Sequence, residues 1–113
     1  MHNRVELIGR LGFTPELRYT NGGQAVTNIS VAMPTGTADE SGRKNCEFID
    51  VTVWGSAAQG ITDHGKKGDM VRVEGNIRKI KKDGIEKPVT EIHANHARRM
   101  MFGEPRQDTN ATD

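Results

Sequence analysis

The chain has 113 residues, a formal net charge of +1 at pH 7 and an aromatic content of 4%. This length allows one domain with a modest core and leaves no room for a second. The near-neutral charge lacks the bulk basicity that is typical of many nucleic-acid-binding proteins. A single cysteine excludes an internal disulfide framework. No apolar run reaches the length of a membrane span, and the first residues lack the apolar core of a signal peptide. We therefore expect a soluble, cytoplasmic protein.

Alternation of apolar and polar residues predicts the first two strands, over 3–11 and 25–33. Their apolar faces consist of Val5, Leu7, Gly9 and Leu11 in the first strand and of Ala25, Ile29, Val31 and Met33 in the second. Asn21-Gly22-Gly23 is a strong turn signal before the second strand. The segment Pro34–Asn45 is rich in Gly, Thr, Ser and charge, and its lack of periodicity predicts a loop.

The third strand is predicted over CEFIDVTVWG, residues 46–55, and its two faces differ in an unusual way. One face carries Ile49, Val51 and Val53, which suit a core. The other, more polar face carries Phe48 and Trp54, the latter being the only tryptophan of the chain. Since aromatic residues are rare in this sequence, two of them on a polar face need a reason other than the core.

The second half of the chain predicts one short helix and two further strands. Ser56 caps the helix predicted over 56–65, and strands follow over 69–80 and 87–98. The core positions predicted in these strands are Val71, Val73, Ile77, Ile92 and Ala94. Residues 103–113 hold no large apolar residue and are predicted to be a disordered tail, which leaves a domain over 1–102. This element order indicates an all-β, five-stranded OB-fold barrel with a short helix between its third and fourth strands.

Phe48 and Trp54 are six residues apart, so in a regular strand both side chains point to the same face. They lie roughly 20 Å apart, too far to stack on each other but suitable for two bases of one nucleic-acid strand. Outward basic residues are available to contact its phosphates: Arg72, Arg78, Lys79, Lys81 and Lys82. The alternatives are that the aromatics cover a barrel end or a subunit interface and that the basic hairpin is merely solvated. Asp50, between the aromatics, would repel phosphate.

Five stretches of the chain carry a resemblance to a known family. They are NRVELIGRLG (3–12), PELRYTNGGQAVTNISVA (15–32), EFIDVTVWG (47–55), KKGDMVRVEGNIR (66–78) and TEIHAN (90–95). No stretch is decisive alone, but their order and spacing together resemble the bacterial and phage single-stranded DNA-binding protein family over residues 3–102. The resemblance implies binding of single-stranded DNA in replication, recombination or repair.

The resemblance also implies roles for individual residues. Phe48 and Trp54 match positions at which the family stacks DNA bases. Arg4, Lys66 and Lys67 match basic positions that contact the DNA backbone, and Arg78 matches one in the hairpin between the last two strands. The first strand, with Val5, Glu6, Leu7, Ile8 and Gly9, would pair with its copy in a homo-oligomer, with a tetramer favoured over a dimer.

The sequence departs from the family in three segments. Neither the loop 34–45 nor the hairpin 76–90 contains an aromatic residue, which leaves two stacking platforms per subunit. The C-terminal GEPRQDTNATD lacks the acidic, hydrophobic-tipped peptide that recruits repair proteins, so we do not expect recruitment through the tail. We expect no metal site, because His93 and His96 would face opposite sides of a strand. We expect no enzyme and no cofactor, because the acidic residues are scattered and no phosphate-binding glycine loop appears. An OB-fold accessory subunit for protein contacts, of the primosome type, and an RNA-binding module are the alternatives.

Overall fold

A computed structural model describes residues 1–100, which form six strands and one helix. The elements are β1 (Val5–Leu11), β2 (Arg18–Tyr19), β3 (Ala25–Ala38), β4 (Lys44–Trp54), α1 (Gly55–His64), β5 (Met70–Ile80) and β6 (Val89–Arg99). The predicted tail over 103–113 and the predicted end of the domain at residue 102 lie outside the described residues.

The five long strands close into a barrel. They lie in the order β1-β5-β6-β4-β3, and β1 closes the barrel by pairing with β3 at Arg10↔Ala32 and Leu11↔Val31. All neighbours are antiparallel except β4 and β6, which are parallel over a short ladder that includes Thr52↔His93. The two-residue β2 adds to the free edge of β3. The predicted OB-fold barrel is confirmed, and its helix connects the third and fourth long strands.

Alternating side chains of the strands fill the barrel, as the sequence pattern predicts. Fully buried members of the core are Leu11, Ile29, Val31, Val51, Val53, Ala58, Ile61, Val71, Val73 and Ala94. The predicted core position Ile77 is wrong, because its side chain is 46% exposed. Strand pairing of β1 with β5 ends at Val5↔Gly75; beyond that pair, β6 is the only described strand paired with β5, and the Asn3 side chain bonds the backbone N–H and carbonyl of Ile77. Ile77 therefore faces an open end, not the core.

The predicted loop Pro34–Asn45 is much shorter in the structure, because β3 continues to Ala38 and β4 begins at Lys44. A bulge between Pro34 and Ala38 keeps the two strands paired despite the proline. The Asp39 carboxylate closes the turn by accepting hydrogen bonds from the Ser41 hydroxyl at 2.6 Å and the Arg43 amide at 2.9 Å. These contacts hold the pKa of Asp39 below its ordinary value. Short polar side chains thus extend a hairpin that lacks apolar alternation.

The start of α1 also differs from the prediction. Ser56 does not cap the helix; Trp54 occupies the N-cap position, and its side chain makes no capping hydrogen bond. The chain turns sharply from β4 into α1 at Gly55, whose φ of 69° is a conformation that other residues adopt only with strain. Trp54 is therefore held at the junction of a strand and a helix. Within residues 1–100, no helix is long and apolar enough to cross a membrane.

Candidate nucleic-acid interface

Phe48 forms a wall of an open groove of about 690 Å³ on the outer face of β4. We call this depression the Phe48 groove; its lining residues are Phe13, Asn28, Ile29, Phe48, Ile49, Asp50, Val51, Thr52, Ile77, Thr90, Glu91 and Ile92. The Phe48 side chain is 61% exposed, although its ring lies close to Gly12. A Cβ atom at Gly12 would lie 3.1 Å from two carbons of that ring, so glycine allows the close approach. The ring presents apolar surface on which a flat molecule can stack.

Trp54 lies on the same face of β4 but is half-buried and lines a different depression. This second cavity, the Trp54 depression, has a volume of about 460 Å³ and is lined by Gln24, Trp54, Asn76, Arg78, His93, Ala94 and Asn95. The indole Nε1–H donates a hydrogen bond of 3.0 Å to Nδ1 of His93, with ring centroids 5.8 Å apart. The two predicted stacking residues therefore line two separate cavities along one strand.

The bond between Trp54 and His93 defines the hydrogen-bonding role of each imidazole nitrogen. Since an indole N–H can only donate, Nδ1 of His93 accepts, and Nε2–H is the donor of the ring. Nε2–H then donates to Glu91 at 2.8 Å, and the other Glu91 oxygen lies 2.6 Å from the Lys82 ammonium. Lys82, and then His93, hold the pKa of Glu91 below its ordinary value. This chain of contacts fixes the orientation of the indole.

Sequence reasoning missed His93 as a neighbour of Trp54. The two residues are 39 positions apart, and only the parallel pairing of β4 with β6 brings them together. The signal available in the sequence was the histidine itself, since a polar aromatic on a strand next to a tryptophan-bearing strand is a suitable partner for an indole N–H.

Four of the predicted phosphate-contacting cations have a side chain that makes neither an ion pair nor a hydrogen bond in the described part of the chain. They are Lys66, Lys67, Arg78 and Lys79. Arg78 lines the Trp54 depression. Lys66 and Lys67 lie in the turn before β5, and the Lys67 amide donates to the Thr14 hydroxyl at 3.0 Å, which fixes this turn beside the loop that follows β1. These charges are available to an anionic ligand.

The other predicted cations make contacts within the chain. Lys82 pairs with Glu91, and the Lys81 ammonium donates to a backbone carbonyl at 3.1 Å. Arg4 and Arg72 belong to a group that we call the paired-charge cluster, formed on β1 and β5 by Arg4, Glu6, Arg72 and Glu74. The Arg4 guanidinium holds the pKa of Glu74 below its ordinary value, and Glu74 raises the pKa of Arg4. Neither arginine lines the Phe48 groove or the Trp54 depression.

Asp50 is exposed in the Phe48 groove, opposite Ser30 of β3. Its carboxylate forms neither an ion pair nor a hydrogen bond within residues 1–100. Glu91 also lines this groove, whereas Lys66 and Lys67 lie outside it. The charge distribution thus opposes a phosphate inside the groove and favours apolar or hydrogen-bonding groups there.

The first strand has an unpaired edge. Val5–Arg10 pair with β5 on one side, but on the other side β3 contacts only Arg10 and Leu11 by strand pairing. One edge of β1 is thus covered by no other described strand over most of the predicted subunit interface, which comprises Val5, Glu6, Leu7, Ile8 and Gly9. Ile8, with 46% exposure, adds apolar surface there. Exposed strand edges of this kind readily pair with another chain.

Comparisons with known proteins agree on the relationship of the chain. Residues 2–100 match the single-strand binding protein family. Single-stranded DNA-binding proteins of Oceanobacillus iheyensis and Halalkalibacterium halodurans are each 38% identical, over 83% and 94% of this chain, and the matches cover 60% and 63% of those proteins. A crystal structure of a deletion mutant of the single-stranded DNA binding protein from Thermus aquaticus superposes with a TM-score of 0.70 at 32% identity, covering 88% of this chain and 51% of that one. The chain thus spans less than two thirds of these relatives.

Proposed function

Because the chain belongs to the single-strand binding protein family, whose members bind DNA and are not enzymes, we propose that it binds single-stranded DNA without sequence preference. Its role is to protect exposed strands during replication, recombination or repair. The observation that carries this proposal is the exposed Phe48 ring in an open groove, on the same strand face as Trp54. An exposed aromatic ring in a groove, together with Arg78 in the depression lined by Trp54, suits a ligand that carries both flat apolar rings and anionic groups.

In the proposed complex, bases stack on Phe48 and Trp54 while phosphates stay outside the Phe48 groove. Stacking on an aromatic side chain contributes ~1–3 kcal/mol per base and tolerates any sequence, since every base has a π-face. The Asp50 carboxylate lines the groove without an ion-pair partner and favours this orientation by repelling phosphate, whereas the charge of Glu91 is compensated by Lys82.

We propose that the predicted phosphate contacts differ in strength. Lys66, Lys67, Arg78 and Lys79 have no internal carboxylate to exchange for a phosphate, so they contribute most. Arg4, Arg72 and Lys82 must first give up a carboxylate partner, and Lys81 a carbonyl, so they contribute less.

We further propose that the free edge of β1, over Val5–Gly9, pairs with a second copy of the chain in a homo-oligomer, with a tetramer favoured over a dimer. The uncovered edge and the exposed Ile8 support this assembly. Native mass spectrometry tests it, because a strictly monomeric mass at micromolar concentration contradicts it. The curated relatives are bacterial, and bacterial DNA lies in the cytoplasm, so we propose a cytoplasmic location.

Titration with oligo(dT) at low salt, followed by tryptophan fluorescence, tests the proposed function. Trp54 is the only tryptophan, so the whole signal comes from the candidate interface. We expect saturable quenching, with a log–log slope of affinity against salt near −0.7 per phosphate contacted. No quenching by a protein with an intact circular dichroism spectrum would favour the protein-contact alternative. Stronger binding of oligo(rU) than of oligo(dT) would favour the RNA-binding module.

A further inference from the structure

We propose that Phe13 is a third base-stacking platform, acting beside Phe48 in the same groove. The inference rests on the proposed function and extends it, because the sequence pattern indicated only two aromatic platforms per subunit. Phe13 lies in the loop after β1, where no alternation marks it, and only the folded chain brings it to the groove of a strand 35 residues later.

The first observation is that Phe13 is exposed without serving the core. Its side chain is 46% exposed, and it is not among the partly buried apolar residues that pack against the core. Leu11, two residues earlier, is buried instead and ends β1 inside the barrel. Its ring therefore leaves apolar surface in contact with water at the Phe48 groove, where a flat base can cover it.

The second observation is the position of the ring between two open depressions. Phe13 and Asn28 line the Phe48 groove and also a neighbouring cavity of about 320 Å³, which Glu16 and Arg18 line as well. Phe13 therefore belongs to the ridge that separates the two cavities. A DNA strand that leaves Phe48 along this direction must pass over that ridge, where a flat base can stack on the ring.

The third observation is that a predicted phosphate-binding turn is attached to the Phe13 loop. The Lys67 amide donates to the hydroxyl of Thr14, the residue after Phe13, at 3.0 Å. The Gly68 amide donates to the Leu11 carbonyl at 2.8 Å. These two bonds fix the turn that carries Lys66 and Lys67 beside the loop that carries Phe13, and neither lysine has an ion-pair partner within residues 1–100. A nucleotide, which combines a flat base with a phosphate, suits an exposed aromatic ring on one loop and two lysines on the adjoining turn.

Substitution Phe13→Ala tests the proposal, with Tyr19→Ala as the matched control. Tyr19 is an exposed aromatic on β2 that does not line the Phe48 groove. We expect Phe13→Ala to lower the affinity for oligo(dT) about 5- to 150-fold, as for loss of one stacked base, and Tyr19→Ala to change it less than about 3-fold. Wild-type affinity for Phe13→Ala overturns the inference while leaving the proposed function standing. Failure of the wild-type protein to bind oligo(dT) overturns both.

A second variant relocates the fluorescent reporter and does not depend on the alanine variant folding. In Phe13→Trp combined with Trp54→Phe, the only tryptophan stands at position 13. We expect oligo(dT) to quench its emission and an abasic oligomer of equal length to leave it nearly unchanged, with the subunit count by native mass spectrometry equal to that of the wild type. Equal quenching by both oligomers overturns the inference in favour of a contact with phosphates. A subunit count different from that of the wild type overturns it in favour of a contact with another copy of the chain.

Discussion

The Phe48 groove and the paired-charge cluster differ in whether their side chains have interaction partners within the chain. In the cluster, Arg4 and Arg72 are compensated by Glu6 and Glu74 within the chain. In the groove, the ring of Phe48 is largely exposed, and the Asp50 carboxylate forms no ion pair or hydrogen bond within residues 1–100. The number of basic residues therefore does not locate a binding surface. The groups that have no partner within the described chain indicate where a ligand can bind.

We expect the largest effect from removing both aromatic side chains of β4 while leaving the paired-charge cluster unchanged. Phe48→Ala combined with Trp54→Ala removes both predicted platforms and should weaken oligo(dT) binding by ~2–6 kcal/mol, twice the range for one stacked base. Fluorescence anisotropy of a labelled oligonucleotide measures it without the tryptophan. Circular dichroism should show a folded protein, since Phe48 is exposed and Trp54 only half-buried.

The matched control is Arg4→Gln combined with Arg72→Gln, which breaks the cluster and leaves the groove intact. We expect a loss of affinity below ~1 kcal/mol, because those guanidinium groups are already paired with carboxylates. A loss larger than that of the aromatic double variant would reverse the ranking of the two regions.

A smaller effect is expected from the residue that orients Trp54. His93→Ala removes the acceptor of the indole N–H, and the loss of one hydrogen bond should weaken oligo(dT) binding by ~0.5–1.5 kcal/mol. The rotational freedom of Trp54, measured by time-resolved fluorescence anisotropy, should increase. His96→Ala is the control, because His96 is exposed on the same strand and lies outside the Trp54 depression. Unchanged indole mobility in His93→Ala would show that packing alone holds the ring.

Removing the Asp50 carboxylate, which has no partner in the groove, should raise the affinity for DNA and not lower it. Asp50→Asn should strengthen binding by roughly 0.4 kcal/mol at low salt, the size of one charge interaction across about 10 Å in a water-like dielectric. The gain should vanish in 0.5 M salt, where such interactions are screened. Asp63→Asn, on the exposed surface of α1, controls for net charge. A weaker affinity of Asp50→Asn would mean that the carboxylate accepts hydrogen bonds from the bases.

The smallest effect concerns pH and the contacts of Glu91. Lys82 and His93 lower the pKa of Glu91 in the folded protein, so the charged carboxylate is favoured by folding. Its contribution to the free energy of unfolding is therefore present above the ordinary value of 4.5 and is lost as the pH falls through the folded pKa. Thermal unfolding should show Glu91→Gln less stable than wild type at pH 7, with the gap closing as the pH falls below 4.5 and through the lowered pKa of the folded protein. A gap of constant size across this range would contradict the assignment.

The barrel could be predicted from the sequence because local patterns determine it. The alternation of Ile49, Val51 and Val53 fixes one face of β4 toward the core, and the same alternation places Phe48 and Trp54 outside. Ile77 shows the limit of this reasoning, since its face follows from alternation but its exposure depends on where β1 stops covering β5. A strand pattern contains no information on how far its neighbour extends.

The partners of the site residues could not be predicted, because they come from distant parts of the chain. Arg72 finds Glu6 66 residues away, and Trp54 finds His93 39 residues away. Phe13 carries no periodic signal, and its place in the groove follows only from the closure of the barrel at β1 and β3. Which aromatic ring is available and which cation is compensated are properties of the folded barrel.

The most direct test of the central claim compares two ligands on the unchanged protein. An oligo(dT) and an abasic oligomer of the same length carry the same phosphates, but only the first carries bases. If bases stack on Phe48 and Trp54 while phosphates remain outside the Phe48 groove, the abasic oligomer should bind more weakly by at least ~2 kcal/mol, the lower bound for two stacked bases. The salt dependence of the affinity should be similar for both oligomers. Equal affinities would contradict the account and leave the aromatic face of β4 without a role in binding.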